Sequence, residues 1–84
     1  MGERSFKDHD YLQKKIIIAK MMFVEGALMI CMQEANLGVA SLKYYIDGAE
    51  ETVDITFKNG CSKTVSVTGD SLAAIIMDVV RAAM

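Results

Sequence analysis

The fold is decided by residues 53–67, which read Val53-Asp54-Ile55-Thr56-Phe57-Lys58-Asn59-Gly60-Cys61-Ser62-Lys63-Thr64-Val65-Ser66-Val67. Apolar and polar side chains alternate in both halves of this stretch. A period of two residues predicts β-strands with one apolar face. The dipeptide Asn59-Gly60 between the halves favours a tight hairpin turn. We therefore expect two adjacent antiparallel strands, over residues 52–58 and 62–67.

The register of this hairpin depends on the length of its loop. A two-residue loop would set Ile55 opposite Thr64, an apolar side chain against a polar one. A three-residue loop over residues 59–61 would set Ile55 opposite Val65. A slip of one residue moves every side chain of a strand to the other face, so the apolar match should decide. It favours the three-residue loop, with glycine in the left-handed region.

Three further elements flank the hairpin. Residues 42–47 alternate and predict a strand that precedes it. Residues 8–36 predict a long helix that Asp8 or Asp10 could cap and Gly38 could end. The resulting order is helix, three antiparallel strands, helix. We expect an α+β fold of two layers (α-β-β-β-α) in a single domain over residues 1–84.

The last predicted element is a helix over residues 69–83, capped by Thr68 or Asp70. Its apolar side chains recur at helical spacing, which predicts one face against the sheet. The residues expected on that face are Leu72, Ile75, Ile76, Val79 and Val80.

The first helix is apolar on every side between Ile16 and Met32, where Lys20 and Glu25 are the only charged residues. A helix that is apolar all round is buried all round. A membrane span needs about 20 apolar residues with few charges, and this segment is shorter and carries both signs. We expect this helix to lie between the chain's own sheet and a partner chain. We do not expect it to bind a membrane. Whether it continues through Gly26 or breaks there stays open.

Size and composition point to self-association. A chain of 84 residues buries little surface, and small chains compensate with disulfides, metals or partners. Two cysteines in different contexts and one histidine favour neither a disulfide nor a metal site, and no cofactor is expected. We expect a homo-oligomer whose interface residues are Ile17, Lys20, Met21, Val24, Glu25, Leu28, Met32 and Met77.

Two interpretations of Lys20 and Glu25 stay open. They lie five residues apart, about 140° around a helix, so they should not pair with each other. Because a buried charge is costly unless it is paired, one or both could cross an oligomer interface or touch a ligand. Alternatively, each lies at a solvated edge, with the Lys20 ammonium reaching water.

Few residues suggest catalysis. His9 stands in a charged segment typical of protein surfaces, and Cys31 in the apolar helix suggests packing. Cys61 lies at a hairpin tip near Lys63, where some activation of the thiol is conceivable, but a tolerated turn residue explains it as well. We expect no enzyme.

The outward face of the predicted sheet is the candidate binding surface. Alternation places hydroxyls, one aromatic ring and a few charges on it. The candidate residues are Lys43, Tyr45, Asp54, Thr56, Lys58, Ser62 and Thr64. Such a face could bind a polar ligand or a host protein, or could simply be the solvated side of the domain. A net charge of −2 and so few basic and aromatic residues argue against nucleic acid.

The hairpin and last helix carry a resemblance. The residues that carry it are Ile55-Thr56-Phe57-Lys58-Asn59-Gly60, then Lys63-Thr64-Val65-Ser66-Val67-Thr68-Gly69-Asp70-Ser71-Leu72-Ala73-Ala74-Ile75-Ile76, and then Asp78-Val79-Val80. This pattern resembles small uncharacterised proteins of phages, prophages and conjugative elements in gut Firmicutes. The resemblance covers about 30 residues and carries no catalytic residue. It implies an accessory factor that binds a host protein or sequesters a signalling nucleotide.

These observations lead to one functional expectation and two alternatives. We expect a cytoplasmic, non-enzymatic, homo-oligomeric binding protein of a phage or mobile element, in its sharpest form an inhibitor or sponge directed at a host protein or small signalling molecule. A nucleic-acid-associated regulator would need Lys7, Lys14, Lys15, Lys43 and Lys58 on one surface. A structural or assembly protein would need no small-molecule site.

Overall fold

The computed structural model describes residues 14–84. The element order is α1 (Lys14–Glu34), β1 (Val39–Asp47), β2 (Glu50–Phe57), β3 (Ser62–Ser66) and α2 (Leu72–Ala83). The three strands form one antiparallel sheet in the order β1-β2-β3. The predicted α+β fold is confirmed. The predicted caps Asp8 and Asp10 and the histidine His9 lie outside the described residues.

Helix α1 continues through Gly26 without a break. Residues Phe23–Leu28 form a π-helical turn inside it, and Met22 and Met29 on either side keep helical backbone angles. The helix ends in a Schellman motif, in which the N–H groups of Asn36 and Leu37 donate to the carbonyls of Gln33 and Met32. Asn36, with φ of 57°, makes the reversal that was expected at Gly38.

The buried face of α1 recurs every four residues, at Lys20, Val24, Leu28 and Met32. In a regular α-helix, four residues advance about 40° beyond a full turn, so such a row would drift off the sheet. A π turn is wider and holds more residues per turn. The turn around Gly26 therefore takes up the drift and keeps the four side chains on one side.

The pairing of β1 with β2 builds the inner face of the sheet. Leu42 lies opposite Ile55 and Tyr44 opposite Val53, and all four are buried. β1 begins at Val39, three residues before the predicted start. An irregularity between Val39 and Ser41 interrupts its register, which explains why alternation alone did not extend the strand that far.

The predicted register of the second hairpin is wrong by two residues. The loop has three residues, but they are 58–60, closed by hydrogen bonds from Phe57 N–H to the Cys61 carbonyl and from Gly60 N–H to the Phe57 carbonyl. Gly60 has φ of 91°, as expected for a glycine in this turn. A loop over 59–61 would have put Cys61 at the left-handed position, which strongly favours glycine.

A shift of two residues keeps every side chain on its predicted face, so the apolar match could not separate the two registers. Val53 pairs with Val65, and Ile55 lies opposite Lys63. The Lys63 ammonium reaches the end of α2 and donates to the Ala82 carbonyl at 3.0 Å. A cation at a helix C-terminus is favourable there.

Helix α2 begins at Leu72, three residues later than predicted. Its N-cap is Ser71, whose side chain accepts the Ala74 N–H at 3.2 Å, and neither Thr68 nor Asp70 serves as the cap. Leu72 and Ile76, both expected in the core, are 41% and 37% exposed.

The core is a single apolar layer between the sheet and both helices. It joins α1 and α2 on one face of the sheet, as predicted. The buried residues are Val24, Leu28, Met32, Val39, Leu42, Tyr44, Val53, Ile55, Val67, Ile75 and Val79.

Candidate functional site

The outer face of the sheet consists of three rows of side chains that cross the strands. Cross-strand pairing aligns Tyr45-Thr52-Ser66 in one row, Lys43-Asp54-Thr64 in the next and Ser41-Thr56-Ser62 in the third. Six of the seven predicted binding residues therefore lie on one surface. Lys58 belongs to the turn at its end.

The middle row of this face contains a hydrogen bond between two of its side chains. The Thr64 hydroxyl donates to Asp54 Oδ1 at 2.8 Å, and Lys43 lies directly opposite Asp54 on the other neighbouring strand. Tyr45 in the adjacent row is 52% exposed. The surface thus offers a carboxylate, an ammonium and an aromatic ring within neighbouring rows, surrounded by hydroxyls.

A second polar group lies on the inner face, centred on Glu51. Its carboxylate oxygen Oε1 accepts hydrogen bonds from Lys20 Nζ at 2.8 Å and from the Tyr44 hydroxyl. The other oxygen, Oε2, accepts the Gly69 N–H at 2.9 Å. Lys20 and Glu51 are 9% and 8% exposed. We call Lys20, Tyr44 and Glu51 the buried triad.

The backbone of Glu51 is also hydrogen-bonded, through both its N–H and its carbonyl. Its N–H donates to Thr68 Oγ1 at 2.9 Å, and its carbonyl accepts the Val67 N–H at 2.9 Å and the Thr68 hydroxyl at 3.3 Å. Thr68 therefore extends the β2–β3 pairing beyond the end of β3 rather than capping α2.

The pKa shifts of Glu51 and Tyr44 follow from these contacts. Burial by itself would raise the pKa of Glu51, but hydrogen bonds from Lys20, Tyr44 and Gly69 outweigh burial and lower it. Burial, the hydrogen bond to Glu51 and the charge of Glu51 together raise the pKa of Tyr44 far above its usual range. At neutral pH Glu51 is therefore a carboxylate and Tyr44 a neutral phenol. Three donors share the two oxygens of the Glu51 carboxylate.

Sequence reasoning missed the role of Glu51, which lies between the strands predicted over residues 42–47 and 52–58. A signal was available. Val53, Ile55 and Phe57 face the core, so counting back by two residues places Glu51 on the same face. A charged residue in such a row needs a partner, and Lys20 is the only charged residue that α1 buries among those the structure describes.

Lys20 and Glu25 both find partners within the chain. Lys20 pairs with Glu51, as above. The Glu25 carboxylate accepts the backbone N–H of Tyr44 at 2.9 Å. Because β1 is an edge strand, this bond blocks one of its unpaired backbone groups, a common protection against pairing with other chains.

The predicted interface residues fall into two groups. Val24, Leu28 and Met32 are at most 2% exposed and belong to the chain's own core, as the buried Lys20 does, so they offer no surface to a partner. Ile17 is half-buried, whereas Met21, Glu25 and Met77 are exposed. The accessible apolar surface of α1 is carried by Met21 together with four residues outside the predicted set: Ile16, Ile18, Met22 and Ile30.

Helix α1 is long and apolar enough to cross a membrane, by length and composition. Over the most apolar 18 residues its mean hydropathy is 1.7, and only 17% of that window is buried. Most of the helix surface is therefore not covered by the described residues of its own chain.

Two cavities flank Lys20, of about 340 and 310 Å³. The first also contacts Asp70, whose Oδ2 atom is buried and has no hydrogen-bond partner among the described residues. The neighbouring Asp78 carboxylate, with burial adding to the effect, raises the pKa of Asp70.

The thiols show no sign of a shared site. Cys31 and Cys61 are both free and exposed. Over residues 14–84, no group of three or more His, Cys, Asp or Glu side chains is placed to hold a metal ion.

Comparison with known proteins gives no relative: no family model, no curated protein and no solved structure matches this chain.

Proposed function

We propose that this protein is a non-enzymatic binding protein that works as a homo-oligomer. The single observation that carries the proposal is the division of α1 into two faces. One face is buried on the sheet, and the other exposes Ile18, Met22 and Ile30 at 55%, 70% and 58%. Exposed apolar patches of this kind mark interaction sites.

A protein partner for this face is favoured over a bilayer by the way α1 is docked. Lys20 and Glu25 bind Glu51 and the Tyr44 N–H, so the helix is tied to a sheet whose other face is polar. Insertion would either break these bonds or carry charged and hydroxyl groups into hydrocarbon. Polar groups without partners are costly there.

The outer sheet face is the proposed binding surface of the assembled protein. Its rows of hydroxyls around Lys43, Asp54 and Tyr45 suit a polar ligand or a hydrophilic protein surface. It lies on the side of the sheet away from α1, so self-association through α1 leaves it accessible. The more specific role, an inhibitor or sponge that a phage or mobile element encodes and directs at its host, rests on the sequence resemblance alone.

The proposal is tested by native mass spectrometry of the protein purified gently from cells, which reports subunit number and any retained ligand together. Met22→Asp places a charge on the exposed face without touching the core, and we expect it to dissociate the oligomer into folded monomers. The matched control is Tyr45→Asp, an exposed position on the other side of the sheet, which should leave the subunit number unchanged.

Either of two results would contradict the proposal. One is a wild-type chain that is monomeric in buffer. The other is a chain that floats with phosphatidylcholine vesicles, which would assign the face of α1 to a membrane.

A further inference from the structure

The outer face of α1 carries a row of residues with the same four-residue spacing as its buried face. Two residues advance about 200° around a helix, so this row lies on the side opposite the buried one. Its members are Lys14, Ile18, Met22, Gly26, Ile30 and Glu34. We call these six residues the outer row. The π turn straightens the middle of this row, from Met22 to Ile30, in the same way. The regular helix on either side drifts by about 40° for every four residues, so the long side chains of Lys14 and Glu34 lie to the side of this line.

The outer row is complementary to itself when its direction is reversed. Ile18 and Ile30 lie six residues before and after position 24, and Lys14 and Glu34 lie ten residues before and after it. Met22 and Gly26 lie two residues before and after position 24, so a long side chain is matched with a residue that has no side chain. If two copies run antiparallel and cross at position 24, isoleucine meets isoleucine and each methionine meets a glycine.

Neither space nor backbone angle requires a glycine at position 26 in the described fold. A Cβ added there would meet nothing within 4 Å, and its φ is not among the positive values. Glycine inside a helix costs about 1 kcal/mol relative to alanine. A close approach of another chain to this point accounts for it, since small residues allow two helices to pack closely.

The charges of the outer row also select an antiparallel partner. Lys14 and Glu34 are both exposed, and the four outer-row residues between them are uncharged. An antiparallel pair sets Lys14 of each copy against Glu34 of the other. A parallel pair would set like charges together at both ends, which is repulsive.

We propose that two copies of this chain pair through the outer row in an antiparallel contact with twofold symmetry, centred on the π turn. This inference rests on the proposed self-association and names its geometry. The contact is isologous, because the same patch is used on both copies. The binding surfaces of the two sheets then lie on opposite sides of the dimer.

Charge reversal tests the geometry, measured as the dimer Kd by analytical ultracentrifugation at low salt. Lys14→Glu and Glu34→Lys each turn two attractive contacts into repulsive ones, and each should weaken dimerisation roughly ten-fold. The double variant restores opposite charges across an antiparallel contact and should recover the wild-type Kd. The differences should shrink in 1 M salt.

A steric variant tests the centre of the contact. Gly26→Leu fills space that is open in the monomer, so the chain should fold, yet the two helices can no longer approach. We expect at least a ten-fold increase in Kd. Ala73→Leu adds a side chain of the same kind at an exposed position of α2 and should leave the Kd unchanged.

The outcomes separate this inference from the proposed function. A dimer whose Kd is unaffected by both charge reversals and by Gly26→Leu would overturn the antiparallel contact, while self-association would stand. A wild-type chain that remains monomeric would overturn both. Loss of dimer in the single variants with recovery in the double variant would support both.

Discussion

Lys20 Nζ lies 2.8 Å from Glu51 Oε1, and this contact joins the first helix to the central strand across 31 residues of sequence. The contact is a salt bridge, and both side chains are about nine-tenths buried. The pair sits at one edge of the apolar core, next to the Tyr44 hydroxyl. It therefore ties α1 to β2 at a defined point on the sheet.

Removing the cation of this pair should be strongly destabilising. Lys20→Met keeps the apolar stem but leaves the buried Glu51 carboxylate without its counter-charge. We expect a loss of about 3 kcal/mol in the free energy of unfolding, measured by urea denaturation. Lys43→Met on the exposed outer face is the control and should change stability by less than about 0.5 kcal/mol. Equal effects of the two variants would contradict the role given to the triad.

Acid should weaken the fold through Glu51. Its pKa is lowered in the folded state, so its contribution is present above the unfolded pKa, about 4.3. That contribution is lost as the pH falls through the folded value. Unfolding free energies measured from pH 6 to pH 2 should therefore decline for the wild type. The decline should be shallower in Glu51→Gln, which does not titrate. A parallel decline in both proteins would show that other groups are responsible.

The contribution of Asp70 to stability should change with pH in the opposite direction. Its pKa is raised by Asp78 and by burial, so the folded state favours its protonated form. This contribution is present below the unfolded pKa, about 3.9, and is lost as the pH rises through the folded value. Asp70→Asn should therefore stabilise the protein at pH 7, by up to about 1 kcal/mol, with the gain vanishing near pH 3.

The control for this prediction is Asp47→Asn, an exposed carboxylate at the end of β1, which should give little change at either pH. Thermal unfolding at both pH values measures the effect. A destabilising Asp70→Asn at pH 7 would mean that the carboxylate makes a favourable contact instead, such as with the nearby Lys20.

The turn that sets the hairpin register should be sensitive to one residue. Gly60 has φ of 91°, where an L side chain is strained, so Gly60→Ala should cost about 1–2 kcal/mol. Lys58→Ala in the same loop is the control, because its side chain is exposed, and should cost less than about 0.5 kcal/mol. Chemical denaturation compares the two. No loss in Gly60→Ala would argue for the alternative loop over residues 59–61.

The sequence by itself determined the elements of this protein and the faces of its strands. Alternation in residues 53–67 depends on a fixed period of two residues, so it assigned the outer-face residues Thr56, Ser62 and Thr64 correctly even though the register was wrong. The same period, counted back to Glu51, would have revealed the buried carboxylate. The six outer-face residues that come together could be predicted for this local reason.

Only the tertiary structure decided which side of α1 is buried and what its charges do. On a helical wheel of regular geometry, a helix that is apolar all round shows no preference for which face is buried. The π turn at Phe23–Leu28, which keeps Val24, Leu28 and Met32 on the sheet, has no sequence signature at this level. The partner of Lys20 lies 31 residues away on another element. Periodicity describes neighbours along the chain, whereas an ion pair of this kind depends on how separate elements pack.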